Sequence, residues 1–130
     1  MKRPVIYVAS AISKGNLVEN IIRANEAGLA LLKAGFAPIV PHGSCFFGNR
    51  LVEGEDFFGI MRGFVPEALP AGTVAEDWYL ADLCIVRRCD ALLRLPGESV
   101  GADLEEAESR AAGLPVFRSV AEAVEWLAKA

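Results

Sequence analysis

Asp90-Ala91-Leu92-Leu93-Arg94-Leu95-Pro96-Gly97 runs into Ser99-x-Gly101-x-x-x-Glu105. The first piece is a short, mostly apolar run closed by proline and glycine, which predicts a buried strand over residues 90–95 and a turn after it. The second predicts a helix over residues 99–112, capped by Ser99 and stopped by Gly113, with Glu105 a turn beyond its start. Amide donors at a helix N-terminus attract an anionic or polyhydroxylated ligand, and a glutamate on the next turn can face the same cleft as nucleophile or base. A plainer reading stands beside this one: Ser99 only caps, Gly97 and Gly101 only shape the turn, and the glutamate is solvated. The rest of the chain weighs between them.

Upstream, residues 4–10 form a β-rich run that is apolar on both faces, as in the middle of a parallel sheet. From Asn16 the apolar positions Leu17, Val18, Ile21, Ile22, Leu29 and Leu32 recur mostly at three and four, and Gly35 follows, so a helix is expected there. Residues 36–40 read as a second strand, ending in Pro41-His42-Gly43-Ser44, a loop. The glycine-rich stretch 43–73 carries Phe46, Phe47, Phe57, Phe58 and Phe64 and is too apolar for a linker. It reads either as a partly helical flap or oligomer contact, or as a satellite core.

Residues 74–88 are helical by pattern, with Trp78, Ala81, Cys84 and Ile85 on one face. Residues 114–117 are a short final strand. Ser119 caps a closing helix, with Glu122 at the capping-box position and Val120, Ala123, Val124 and Leu127 inward. Strands alternating with helical crossovers predict an α/β, Rossmann-like three-layer sandwich: a small parallel sheet of order 2-1-3-4, with a partly helical insert after strand 2. Ligands of such sheets bind beyond the strands' carboxyl ends, so residues 10–15, 42–44 and 96–101 converge on one crevice. That makes Ser10, Ser13, His42, Gly97, Ser99 and Gly101 the candidate binding residues.

The 130 residues, 53% hydrophobic, suit one domain spanning 1–130. The net charge of -4 argues against a nucleic-acid partner, whose phosphates need clustered Lys and Arg. Cys45, Cys84 and Cys89 show neither a disulfide framework nor zinc-ligand spacing, and read as reduced, mostly packed thiols. The apolar run after Met1-Lys2-Arg3-Pro4 is too short to span a membrane and lacks a signal-peptide pattern. A cytoplasmic protein with no membrane partner is expected.

Neither Gly-x-Gly-x-x-Gly after the first strand nor Gly-x-x-x-x-Gly-Lys-Ser/Thr occurs, and no Gly-x-Ser-x-Gly elbow accompanies the single histidine. Carboxylate chemistry remains, on Glu105, Asp82 of the preceding helix and Tyr7 of the central strand. Cleaving an N-glycosidic bond needs a carboxylate to trap an oxocarbenium-like carbon and an acid to help the base leave. Neither a metal nor a cofactor is called for.

The chain resembles the nucleoside 2-deoxyribosyltransferase superfamily, including its nucleotide N-glycohydrolase branch and short bacterial and phage members. The residues that carry the likeness are Ile6-Tyr7-Val8-Ala9-Ser10, Pro41-His42, Trp78-x-x-x-Asp82, Cys89-Asp90-Ala91-Leu92-Leu93 and Ser99-x-Gly101-x-x-x-Glu105. The resemblance implies that Glu105 attacks the anomeric carbon of a nucleoside or nucleoside 5'-monophosphate. It implies further that Asp82 holds sugar hydroxyls or assists proton transfer to the base, and that Tyr7 orients Glu105. Ser99 and Gly101 would take a 5'-hydroxyl or 5'-phosphate. Relatives build sites at subunit contacts, so a homodimer or larger homo-oligomer is implied.

Ser10-Ala11-Ile12-Ser13 departs from the glycine and small residue or proline that relatives usually carry, which leaves the base pocket open. Glu106 and Glu108 surround Glu105 with acid, an arrangement expected to weaken phosphate binding and raise the Glu105 pKa. Asp82 also reads as a surface residue, Tyr7 as a core tyrosine, His42 as a loop cap, and Asp90 as a turn-bonding carboxylate. The rival function is a non-catalytic nucleotide-binding or oligomeric interaction module on the same scaffold.

Overall fold

A computed structural model describes residues 2–11, 17–41, 72 and 74–130. Ser13, His42, Cys45 and all but Gly72 of the 43–73 insert lie outside the described residues. Four strands, β1 (Val5–Ala9), β2 (Ala37–Ile39), β3 (Ala91–Arg94) and β4 (Val116–Phe117), form one parallel sheet of order β2-β1-β3-β4. The described helices are α1 (Leu17–Ala34), α2 (Ala75–Arg87), α3 (Val100–Ala111) and α4 (Val120–Ala128). This is the expected α/β order, with each strand shorter than the apolar run that encodes it.

Alternation along the strands separates two cores. Ile6 and Val8 of β1 and Ala91 and Leu93 of β3 face Ala24, Ala27 and Leu31 of α1 and Ala123 of α4, joined by Phe36 and Phe117. Tyr7, Ala9 and Leu92 face the opposite side, where Val86, Cys89 and Ala102 cover them. The sheet is thus sandwiched between α1 and α4 on one face and α2 and α3 on the other. Each large apolar side chain so buried contributes roughly 1.5–3 kcal/mol.

Small residues alternate with large ones on the inner face of α1. Ile21, Ala24, Ala27 and Leu31 are buried, whereas Ile22, Leu29 and Leu32 are exposed, Leu29 by 51%. Gly28 shares the buried stripe, and a Cβ there would stand 2.7 Å from Val40 Cγ2, so the helix lies too close to the strand exit for any side chain. On α2 the face carrying Ala81, Cys84 and Ile85 is exposed, and the helix rests on Val86, with Asp82 half-buried on its inner side. Cys84 is therefore an exposed free thiol, and Cys89 a buried one. In α4, Ala123 is buried while Val124 is exposed.

Local chemistry closes the helix ends. Ser99 Oγ accepts from Ala102 N at 3.1 Å, and Ser119 Oγ from Glu122 N at 3.1 Å, the two caps expected from sequence. Glu122 does not close the expected capping box on Ser119 N: its carboxylate reaches one residue further back and accepts from Arg118 N at 2.9 Å. Arg3 donates to the Leu32 and Phe36 carbonyls at 2.9 and 3.0 Å, tying the N-terminus to the end of α1. Asp90 accepts from Val5 N at 2.8 Å, so it pins β1 to the start of β3. Among the described residues no helix is long and apolar enough to cross a membrane.

Candidate active site

Parallel strands leave their carboxyl ends on one edge, and the candidate residues gather there. Tyr7, in the middle of β1, is fully buried and points toward α2 and α3. Its hydroxyl donates to Glu105 Oε2, across 98 positions of sequence. Glu105 is 8% exposed, because α3 turns that side toward the sheet together with Ala102 and Ser109. Asp82 reaches the same region from α2 and raises the pKa of both Tyr7 and Glu105 by its charge.

A carboxyl out of water resists ionisation. Burial first, against the pull of the Tyr7 hydrogen bond, then the Asp82 charge pushing the same way as burial, leave Glu105 pushed up to about 7; the Arg94 charge draws it down. Burial alone pushes Asp82 up to about 6. Tyr7 is raised well beyond the usual phenol range, by burial and then by the Glu105 and Asp82 charges, so its hydroxyl keeps its proton and acts as donor. Two carboxyls pushed up toward neutrality in one region, only one of them bonded to the phenol, can divide nucleophile and proton donor between them.

Glu106 and Glu108 do not cause the shift. Arg118 grips Glu106 through two nitrogens at 2.8 Å and Arg110 adds a pair at 3.2 Å. Burial pushes Glu106 up, but these guanidiniums outweigh it and hold the carboxyl below its usual range. Glu108 pairs with Arg87 of α2. The expectation that acidic neighbours raise Glu105 gives way to desolvation, since those neighbours are already neutralised.

The β3–α3 turn forms the lip of this site. Gly97 adopts φ +130, a conformation open to glycine, and a Cβ there would lie 3.5 Å from Ala11 Cβ, so the turn abuts the exit of β1. Ser10, half-buried at that exit, donates to the Ala11 carbonyl at 3.3 Å. Ser99 spends a lone pair on the α3 cap while its hydroxyl proton stays able to donate. Gly101 is filled by Tyr79 of α2, whose Cε1 would stand 3.0 Å from a Cβ, so its missing side chain admits a neighbouring helix. Tyr7, Asp82 and Glu105 thus come together, with Ser10, Gly97, Ser99 and Gly101 along the edge.

Two residues escaped the sequence reading. Arg94, on β3, is buried and bonds the turn and α3. Its signal was a charge inside an otherwise apolar strand. Tyr79 carried no such signal, because its contact with Gly101 depends on how closely α2 and α3 approach.

No protein-family model and no curated protein matches the sequence. Among solved structures, the 2-deoxyribosyltransferase of the psychrotolerant bacterium Bacillus psychrosaccharolyticus is similar at a TM-score of 0.54 and 20% identity, over 86% of this chain and 69% of that one. That enzyme is described as a biocatalyst for the synthesis of antiviral and antitumoral nucleosides. The chain shares its α/β fold.

Proposed function

We propose that the protein cleaves or exchanges the N-glycosidic bond of a nucleoside or nucleoside 5'-monophosphate, with Glu105 as nucleophile. The observation that carries this reading is the buried Tyr7–Glu105 hydrogen bond beside Asp82, on the carboxyl edge of the sheet. The shared fold with a 2-deoxyribosyltransferase supports it.

In the proposed reaction the Glu105 carboxylate bonds to the anomeric carbon as that carbon's bond to the base nitrogen breaks. The bonding pair leaves with the base, and Asp82 supplies the proton that neutralises it. Tyr7 keeps one carboxylate oxygen occupied and so directs the other. Water or a second base then attacks the anomeric carbon and frees Glu105, giving hydrolysis or transfer. Ser10, Ser13, His42, Gly97, Ser99 and Gly101 are assigned to substrate binding, and neither metal nor cofactor takes part in the steps.

We place the enzyme in the cytoplasm, in keeping with the unpaired Cys84 and Cys89. It works as a homo-oligomer, a reading supported by Val74, Tyr79, Leu80 and Ile85, apolar side chains that α2 and its cap leave exposed. The test of function is incubation with a mixture of ribo- and deoxyribonucleosides and their monophosphates, with and without an acceptor base. Released or exchanged base is expected; ligand-induced stabilisation without any base release favours the non-catalytic binding module instead.

A further inference from the structure

We propose that Arg94 is a positioning residue of this site, whose guanidinium clamps the β3–α3 turn and the first turns of α3 and thereby sets where Glu105 meets Tyr7. The inference rests on Glu105 being the nucleophile.

Arg94 pairs in register with Ala9 and shares the sheet face of Leu92, so it stands on the same side as Tyr7. A buried position at the end of a parallel strand is normally apolar, and a guanidinium there must be fully hydrogen-bonded to persist. Nη1 donates to Asp103 Oδ1 at 2.7 Å, Nη2 to the Gly97 carbonyl at 2.8 Å, and Nε to the Leu95 carbonyl at 3.2 Å. Glu106 Oε1 stands 3.8 Å from Nη1. Asp103 and Glu106 flank Glu105 on α3, so one planar fork bonds the Asp103 side to the turn that carries Gly97 and stands within ion-pair range of the Glu106 side.

A simple ion pair would not need this placement. The Asp103 side chain is 70% exposed, whereas that of Arg94 is 8% exposed. The acceptors lie in different directions, which suits a rigid guanidinium and not a lysine ammonium. Among the described residues, the charged and titratable groups around Glu105 are Tyr7 from β1, Asp82 from α2 and Arg94 from β3, and of these Arg94 carries the positive charge. Arg94 thus acts in two separable ways, by geometry on the turn and by charge on Glu105.

The full chain is compared with Arg94→Lys, Arg94→Met and Asp103→Asn. The Glu105 titration is followed by carboxyl 13C NMR and amide exchange over residues 97–103, neither of which needs a substrate; kcat and KM are measured on whichever nucleoside is turned over. Arg94→Lys, which keeps the charge and loses the fork, is expected to shift the Glu105 midpoint less than Arg94→Met does, speed exchange in the turn ~10-fold and raise KM ~10-fold. Arg94→Met is expected to move the midpoint upward and lower kcat ~100-fold. Asp103→Asn, an exposed change, is expected to speed exchange in the turn with a smaller rise in KM.

A folded Arg94→Met with an unmoved midpoint overturns the proposal, as does an Arg94→Lys identical to the parent in exchange. If Arg94→Met does not fold, unchanged exchange in both other variants overturns it. Absence of turnover by the parent protein on every nucleoside counts against the proposed function, while the titration and exchange still decide the role of Arg94.

Discussion

Tyr7 Oη donates to Glu105 Oε2 from a fully buried position on the central strand, and this bond joins the sheet to the helix that follows β3. The phenol offers a single proton, and the carboxylate accepts it in a buried site. Glu105 is thereby held in one orientation, with burial keeping its pKa near that of a working acid or base.

Removing the phenol tests that coupling. Tyr7→Phe deletes a donor that pulls the Glu105 pKa down, so the Glu105 midpoint should climb above about 7. With the carboxyl then mostly protonated at neutral pH, kcat at pH 7 should fall ~100-fold. Stability should drop by about 1–2 kcal/mol from the lost buried bond. Carboxyl NMR, steady-state kinetics and denaturant melts measure the three quantities.

Replacing the carboxyl itself should separate function from stability. The folded pKa of Glu105, about 7, lies above the usual 4.5, so the folded chain holds this proton more tightly than the unfolded chain. The stabilisation is complete below about 4.5, is lost as pH rises toward about 7, and stays absent above. Glu105→Gln should therefore abolish turnover yet raise stability at pH 8 by on the order of 3 kcal/mol. The difference should vanish near pH 4, which melts at both pH values will show.

Asp82, near 6, and Glu105, near 7, hold one proton between them in that interval; it rests mainly on Glu105, and the reactive form, with Glu105 ionised and Asp82 protonated, is the minor tautomer in exchange with it. Below it both are protonated and no nucleophile is present; above it both are charged and the leaving base receives no proton. The rate should follow a bell with its maximum between about 6 and about 7. Asp82→Asn should remove the alkaline fall and lower kcat by ~100-fold or more.

Gly97 occupies φ +130 beside Ala11, a conformation that L side chains rarely adopt. Gly97→Ala should cost about 1–3 kcal/mol and raise KM more than it lowers kcat, because the turn bears binding groups rather than the nucleophile. Paired melts and kinetics distinguish this from a general loss of folding.

The fold, and which side chains form the candidate site, could be read from the chain because strand, turn and cap signals are local. Apolar runs before Pro41 and Pro96 marked strands, Ser99 and Ser119 marked helix starts, and alternation with helices dictated a parallel sheet whose rim collects Tyr7, Asp82 and Glu105. Packing between elements was less legible. Beside Ile21 and Leu31, the inner face of α1 rests on Ala24, Ala27 and Gly28, small residues that a search for leucine and isoleucine passes over. The apolar face read on α2 stays unassigned to core or solvent in the sequence, because apolar periodicity does not say which of two stripes meets the sheet. Arg94 was concealed for the opposite reason, since its partners Asp103 and Gly97 become meaningful only once the turn is folded.

The central claim is that Glu105 bonds covalently to the sugar. Intact-mass spectrometry after rapid mixing with nucleosides bearing a 2-fluoro sugar, which slows release of such an adduct, followed by peptide mapping, addresses it directly. A pentosyl increment on the peptide containing Glu105, absent from Glu105→Gln, is the expected result. Base release at the parent rate by Glu105→Ala, with no adduct on that peptide, would contradict the account.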